Sequence, residues 1–343
     1  MSFSNDPLDV AAAMGLDTNL PPPPYGGRPK YVKLNPADDG KGLASMFFED
    51  PRVWRPKPGP LGKVHAWGVY DQVDDEGFPE YDTFGGFLRI MQYQFQYIGK
   101  DSVTPEMQFV RGLIDRKRKV LDSRDIKRLE KQDVILKIKL LFVDDKNGKT
   151  LIWRRFRCSA GLLIKDFQEK VIAPVMGWEP GYHCYVFTDF KDGAIYGPKV
   201  CTTMVDSQHY WQVGYDWIYD HKYSIAHLFE KEGDEFGYLY DLGDKWTHEI
   251  TVERIIPAEE SNGRVQIFAG SGMCPGEDME GGCNFGRFLA EMRAAPAIKK
   301  EEMKRKIIDC VNYSTYRKPR ALFDPEAFDV QHIRRGIAAA NGY

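Results

Sequence analysis

Phe236, Tyr238, Tyr240 and Leu242 are followed, beyond Gly243-Asp244-Lys245, by Trp246, His248, Ile250 and Val252. Both rows fall on even numbers. Alternate side chains of a strand share a face. If Leu242 faces Trp246 across a three-residue loop, both rows therefore lie on one face of an antiparallel pair. A two-residue loop would put them on opposite faces and expose one apolar row. Because a one-residue slip flips every side chain, the odd loop is the one expected, and Gly243 is acceptable chemistry in such a turn. The segment is committed to a hairpin with one aromatic face, and the chain around it must cover that face. This register sets His248 on the inner face opposite Tyr240. It turns Asp241, Thr247, Glu249, Thr251 and Glu253 the other way.

The flanking sequence supplies partners for such a sheet. Val134 to Val143 and Leu151 to Cys158 read as strands joined by the turn Asp144-Asp145-Lys146-Asn147-Gly148. Residues 161–176 place Leu162, Leu163, Phe167, Val171, Ile172 and Val175 on one helical face, with Gly177 as the stop. His183 to Phe190 and Tyr196 to Val200 are further strand candidates, and Ser224 to Glu230 a short helix. Helices are expected over 286–294, 297–311 and 325–340. The expected fold is an α+β domain over 134–341, a mostly antiparallel sheet with packed helices, plus a smaller α+β N-terminal region.

Before residue 134 the character changes. Residues 1–30 read as a flexible leader, because Pro21 to Pro24 cannot join a packed element. Pro22-Pro23-Pro24-Tyr25 also fits the P-P-x-Y pattern read by WW domains, so a protein partner is possible through the leader. Residues 31–110 hold aromatic-rich strand candidates, Lys63 to Tyr70 and the alternating Met91, Tyr93, Phe95 and Tyr97. Residues 111–133 read as a basic connecting helix whose Arg116, Lys117, Arg118 and Lys119 are interrupted by acidic residues.

A formal net charge of -3 does not mark a dedicated nucleic-acid binder, although a local basic patch remains open. No apolar run reaches the roughly 18 residues of a membrane span, and Met1 to Leu20 has neither a basic n-region nor an apolar core. The six scattered cysteines contain no C-x-x-C pair and read as thiols in a reducing compartment, cytoplasmic or nuclear.

Several stretches resemble one family in its own order. Ile152-Trp153-Arg154-Arg155-Phe156 is similar to its early I-W-R-R strand, and Gly177-Trp178 with His183 to Phe187 to its G-W and H-L-H-x-F stretch. Tyr238 to Ile250 resembles Y-x-Y-D-F-G-D-x-W-x-H-x-I. Cys274-Pro275-Gly276-Glu277-Asp278 resembles a C-P-P-E-D loop, and Phe323 to Asp329 resembles F-D-P-x-x-F-D. These are the marks of the plasmid pRiA4b ORF-3-like family. The chain departs from them at Tyr185, which replaces a second His, at Gly276, which replaces a Pro, and at Met279-Glu280, which interrupt D-C-G-G. The resemblance implies a fold and no reaction. It suggests a neighbourhood with mobile DNA.

The candidate site combines the hairpin tip with the Cys274–Cys283 loop: Asp241, Asp244, Trp246, His248, Glu277 and Asp278. Four carboxylates from two loops can bind a hard cation through oxygen, or form a solvated acidic rim. His248 reads as a core histidine or as a base or ligand. Cys274 and Cys283 lack the partner spacing of a structural zinc site, so no metal ligand is assigned. Phosphate-loop, H-E-x-x-H and G-x-S-x-G motifs are absent, and no cofactor is named. The first functional reading is a non-catalytic binding or interaction module. The alternative is a metal-assisted hydrolase acting on phosphodiesters. A third draws nucleic-acid contacts from Arg154, Arg155, Lys117 and Arg118.

Overall fold

The computed structural model describes residues 55, 58, 61–64, 105–201, 204–205, 217–314 and 323–342. The leader with its Pro22–Tyr25 motif and the strand candidate around Met91 to Tyr97 lie outside them, as does Lys63 to Tyr70 beyond its first two residues. The chain divides into two compact units. One holds Met1–Ser123, Phe190–Ile195 and Gln208–Ile218, and the other holds Arg124–Asp189, Tyr196–Ser207 and Tyr219–Tyr343.

In the first unit the described helix is Pro105–Ser123. It starts earlier than the expected 111 and stops at Ser123, with a separate turn of helix at Lys127–Glu130 in the second unit. Leu113, Ile114 and Leu121 are buried, and Lys117 Nζ reaches Asp192 Oδ2 at 2.8 Å.

Eight strands make one sheet: β1 (Asp133–Leu140), β2 (Trp153–Ser159), β3 (Tyr185–Asp189), β4 (Ala194–Gly197), β5 (Ile218–Tyr219), β6 (Glu235–Tyr240), β7 (Trp246–Ile256) and β8 (Gln266–Ser271). Their order is β5-β4-β3-β6-β7-β1-β2-β8. The β3–β6, β6–β7, β1–β7, β1–β2 and β2–β8 pairs are all antiparallel. With helices packed around the sheet, the class is α+β, as the alternating pattern predicts.

The hairpin keeps the expected parity in a shifted register. Tyr240 faces Trp246, Tyr238 faces His248 and Phe236 faces Ile250. The loop thus runs from Asp241 to Lys245, two residues longer than expected, and His248 opposes Tyr238 instead of Tyr240. The cause is local. Asp241 is left-handed at φ 63, its carbonyl accepts the Lys245 N–H at 2.7 Å, and its Oδ1 accepts the N–H groups of Gly243 and Asp244. Side-chain-to-backbone bonds of this kind end a strand early, and an odd loop of either length leaves both rows inside.

Even-numbered residues of β1 and β2, including Leu136, Ile138 and Phe156, are likewise buried. Arg154 shares that parity and follows it inward. It is 2% exposed, and its guanidinium donates to the carbonyls of Val175, Trp153, Ser271 and Gly272. Trp153 sits on the opposite face, half-buried beneath Lys137 Nζ. It therefore lies outside the inner core.

The helical run over 164–176 begins as Ile164–Phe167, widens into a π turn at Gln168–Ile172 and closes as Ala173–Met176. Pro174, which cannot donate to the ladder, lies just past the widening. Gly177 ends the run at φ 103 and returns its N–H to Ala173, which delivers Trp178 to the inner face of the hairpin. There Trp178 stacks on Tyr240 at 4.7 Å and meets Trp246 at 5.3 Å and His248 edge-on at 5.9 Å. Helices Gly281–Ala294, Ala297–Ile308, Val311–Ser314 and Val330–Asn341 complete the described domain, and Phe285 packs on Trp246 at 5.8 Å.

Two outcomes follow. Trp246 is fully buried, so Trp246→Ala should lower the unfolding free energy by about 3–5 kcal/mol. Denaturant unfolding with a loss under about 1 kcal/mol would contradict its place in the core. His248 is enclosed, with Nδ1 donating to the Trp246 carbonyl at 2.8 Å, and burial pushes its pKa down to about 3. The neutral ring is favoured in the fold, while the unfolded chain takes up a proton near pH 6.5. Stability from this group is complete above that pH and declines as pH falls toward 3, by an amount on the order of a few kcal/mol. Chemical denaturation across this range should show a steeper acid loss in the native protein than in His248→Gln. Equal slopes would place His248 in contact with water.

Candidate metal centre

Four polar side chains from three separated segments meet where the β6–β7 turn approaches the 274–280 loop. His183 comes from the segment between Trp178 and β3, Asp241 from the end of β6, and Glu277 and Asp278 from the loop. His183 Nε2 lies 3.4 Å from Asp241 Oδ2, 3.2 Å from Asp278 Oδ1 and 3.9 Å from Glu277 Oε2. The donor atoms of His183, Asp241 and Asp278 all fall within 4.8 Å of one another. Ligand bonds of about 2.0–2.2 Å place neighbouring donors around one ion about 3.0–3.5 Å apart. The His183–Asp241 and His183–Asp278 separations fall in that range, and Glu277 Oε2, at 3.9 Å, lies slightly beyond it.

Each carboxylate is held by one oxygen and presents the other. Asp241 Oδ1 is fixed by the N–H groups of Gly243 at 2.8 Å and Asp244 at 3.0 Å, which leaves Oδ2 toward His183. Glu277 Oε1 accepts the Glu179 N–H at 2.8 Å and the Tyr240 hydroxyl at 3.0 Å. Its Oε2 is buried and accepts no hydrogen bond. Asp278 Oδ2 accepts the Tyr182 hydroxyl at 3.0 Å, which leaves Oδ1 inward. Outer contacts of this kind orient metal ligands and set their basicity.

The loop itself is pinned from below. Asn312 is fully buried. Its Oδ1 accepts the Glu277 N–H, and its amide donates to the carbonyls of Gly177 and Pro275. From the side, Asp244 Oδ2 accepts the Glu280 N–H at 2.7 Å. At Gly281, φ is 77° and an added Cβ would lie 2.0 Å from the Asp244 carbonyl oxygen, so only glycine lets the helix start this close to the hairpin tip. Asp241, Asp278 and Glu280 are left-handed at φ 63, 58 and 63, a conformation non-glycine residues adopt rarely.

Burial dominates the electrostatics. It pushes the Glu277 carboxyl up to about 8 against the opposing pull of the Glu179 N–H, His183 and Tyr240. It also raises Asp244 above the usual carboxylate range. Tyr182 is pushed up to about 12, by desolvation first and then by its bond to Asp278.

Of the residues expected from sequence, Asp241, Glu277 and Asp278 converge. Asp244 lies beside them as a loop tie. Trp246 and His248 belong to the aromatic core. The histidine that joins the carboxylates is His183, which the strand reading of 183–190 concealed, because β3 begins only at Tyr185. Its place in the stretch His183 to Phe187 was the available signal. Cys274 is buried, with its thiol raised by desolvation, and Cys283 is exposed on the helix Gly281–Ala294. None of the six cysteines, all of them described, is in a disulfide. Arg154 serves backbone carbonyls, Arg155 pairs with Glu253, Lys117 with Asp192 and Arg118 with Asp115.

The chain is 44% identical over 62 residues to the uncharacterized protein y4hQ of Sinorhizobium fredii, a match over 18% of this chain and 31% of that relative. It thus spans about a third of the relative's length. A solved structure, a protein of unknown function MM3350 from Methanosarcina mazei Go1, is similar at 22% identity and a TM-score of 0.42, over 58% of this chain and 96% of the other. Among the described residues no helix is long and apolar enough to cross a membrane. The family model for plasmid pRiA4b ORF-3-like proteins matches residues 133–332, more than half of the sequence, and the chain belongs to that family.

Proposed function

We propose that the domain is a binding module whose ligand is a divalent transition-metal cation, with His183 Nε2, Asp241 Oδ2 and Asp278 Oδ1 as donors and Glu277 Oε2 completing the set. One observation carries the reading: Glu277 Oε2 is buried, accepts no hydrogen bond, and faces His183 among two further carboxylates. Buried polar atoms left in this way are costly, and a cation among them removes the cost. An imidazole combined with carboxylates suits zinc, manganese or iron better than magnesium or calcium, which favour oxygen-only shells. The six thiols suit a reducing, intracellular setting. The Pro22–Tyr25 motif is consistent with a protein partner.

Calorimetric titration should show a single site for Zn²⁺ or Mn²⁺, with Mg²⁺ and Ca²⁺ much weaker. His183→Gln and Asp241→Asn should abolish it. Tyr240→Phe, which removes only an outer contact, should weaken it about 10–100-fold. In thermal unfolding, Glu277→Gln relieves the carboxylate crowding. It should raise the melting temperature of metal-free protein while shrinking the rise that metal produces, which for the native chain corresponds to about 2.7 kcal/mol at a hundredfold excess over Kd. If no cation binds, or binding survives both His183→Gln and Asp241→Asn, the reading is wrong.

A further inference from the structure

The walls of this site are uneven. The side chains of His183, Asp241 and Glu277 are 2%, 2% and 0% exposed, whereas that of Asp278 is 57% exposed. Three donors therefore approach from the protein interior and one from the rim. The rim is completed by Tyr182, whose ring lies edge-on to His183 at 4.6 Å and whose hydroxyl holds Asp278. Closed structural sites enclose their ion with protein donors, while open ones leave a position for water or substrate.

We infer that a cation held here keeps an exchangeable coordination position on the Tyr182–Asp278 side, and that the group it takes there is an uncharged oxygen or nitrogen donor and not a phosphodiester. This rests on the cation reading above. The ligand class follows from charge. A dication with a neutral imidazole and the carboxylates of Asp241, Glu277 and Asp278 sums to minus one. Asp244, tied to the same loop, adds a further acidic neighbour. An anion entering this shell meets net repulsion. Phosphoryl sites instead gather Arg or Lys side chains or an open helix N-terminus around the anion. The helix Gly281–Ala294 begins beside this loop, but the Glu280 N–H at its start already bonds to Asp244 Oδ2. Arg154 and Arg155 are engaged elsewhere, with backbone carbonyls and with Glu253. A water, a carbonyl oxygen or a neutral imidazole meets no such barrier.

The test uses the full chain loaded with Mn²⁺ or Co²⁺. Bound Mn²⁺ should enhance water-proton relaxation, as a cation with an exchanging inner-sphere water does. The visible bands of bound Co²⁺ should shift on adding imidazole at limiting concentration and stay unchanged with the same concentration of dimethyl phosphate. A cation that binds without relaxation enhancement and without a response to imidazole would be fully enclosed, and the inference would fail while the cation reading stood. Complete loss of the bands with imidazole would mean that the metal is stripped, which also counts against it. A shift with dimethyl phosphate at equal or lower concentration would overturn the ligand class. Failure of both metals to bind at all would remove the cation reading itself.

Discussion

The stack of Trp178 on Tyr240 ties the 164–176 run, the hairpin core and the polar cluster together. Trp178 follows directly from the glycine that ends the 164–176 run, and its ring bridges that run to the inner face of the hairpin through Tyr240 and Trp246. Aromatic pairs in this geometry contribute beyond the area they bury. Here the pairing also has a directional effect. With its ring held by Trp178, Tyr240 carries its hydroxyl to Glu277 Oε1, and so fixes which oxygen of Glu277 faces His183. The core and the polar cluster are therefore one construction, in which apolar packing sets the aim of a carboxylate.

Period-2 alternation made the hairpin legible, because parity survives any odd loop length. The register itself was hidden, since it depends on how Asp241 folds back on Gly243 and Asp244. Arg154 shows a similar limit. Its parity with Phe156 pointed inward and its charge outward, and the carbonyls waiting at Val175 and Gly272 let parity win. The helix at 281 begins earlier than propensity suggested, because Gly281 and Gly282 are needed for close approach to the Asp244 and Leu141 carbonyls despite their poor helix propensity. Among site residues, the loop carboxylates could be read as a group. His183 could not be read as one of them, because its role turns on where β3 starts.

The cluster concentrates features that a fold selected for stability alone would avoid. Three carboxylates share one small volume, two of them almost wholly buried, and three nearby residues hold positive φ without being glycine. Such conformations persist only where surrounding bonds over-determine them. The bonds of Asp241 to Gly243, Asp244 and Lys245, of Asp244 to the Glu280 N–H and of Tyr182 to Asp278 provide that here. The aromatic core that adjoins the cluster holds Trp178, Tyr240 and Trp246 in mutual contact.

The turn from Asp241 to Lys245 has a consequence for how the domain can change over generations. The turn at 144–150 is also organised by an aspartate, with Asp145 Oδ1 accepting the N–H groups of Asn147 and Lys149, and these bonds serve the turn itself. Residues can be gained or lost there at small thermodynamic cost. Between Asp241 and Lys245 the same change would swing Asp241 away from His183, or part the Asp244 carbonyl from Gly281. Even an insertion that preserved the strands would erase the cluster. The length of that loop therefore matters to the cluster as much as the identity of any side chain within it.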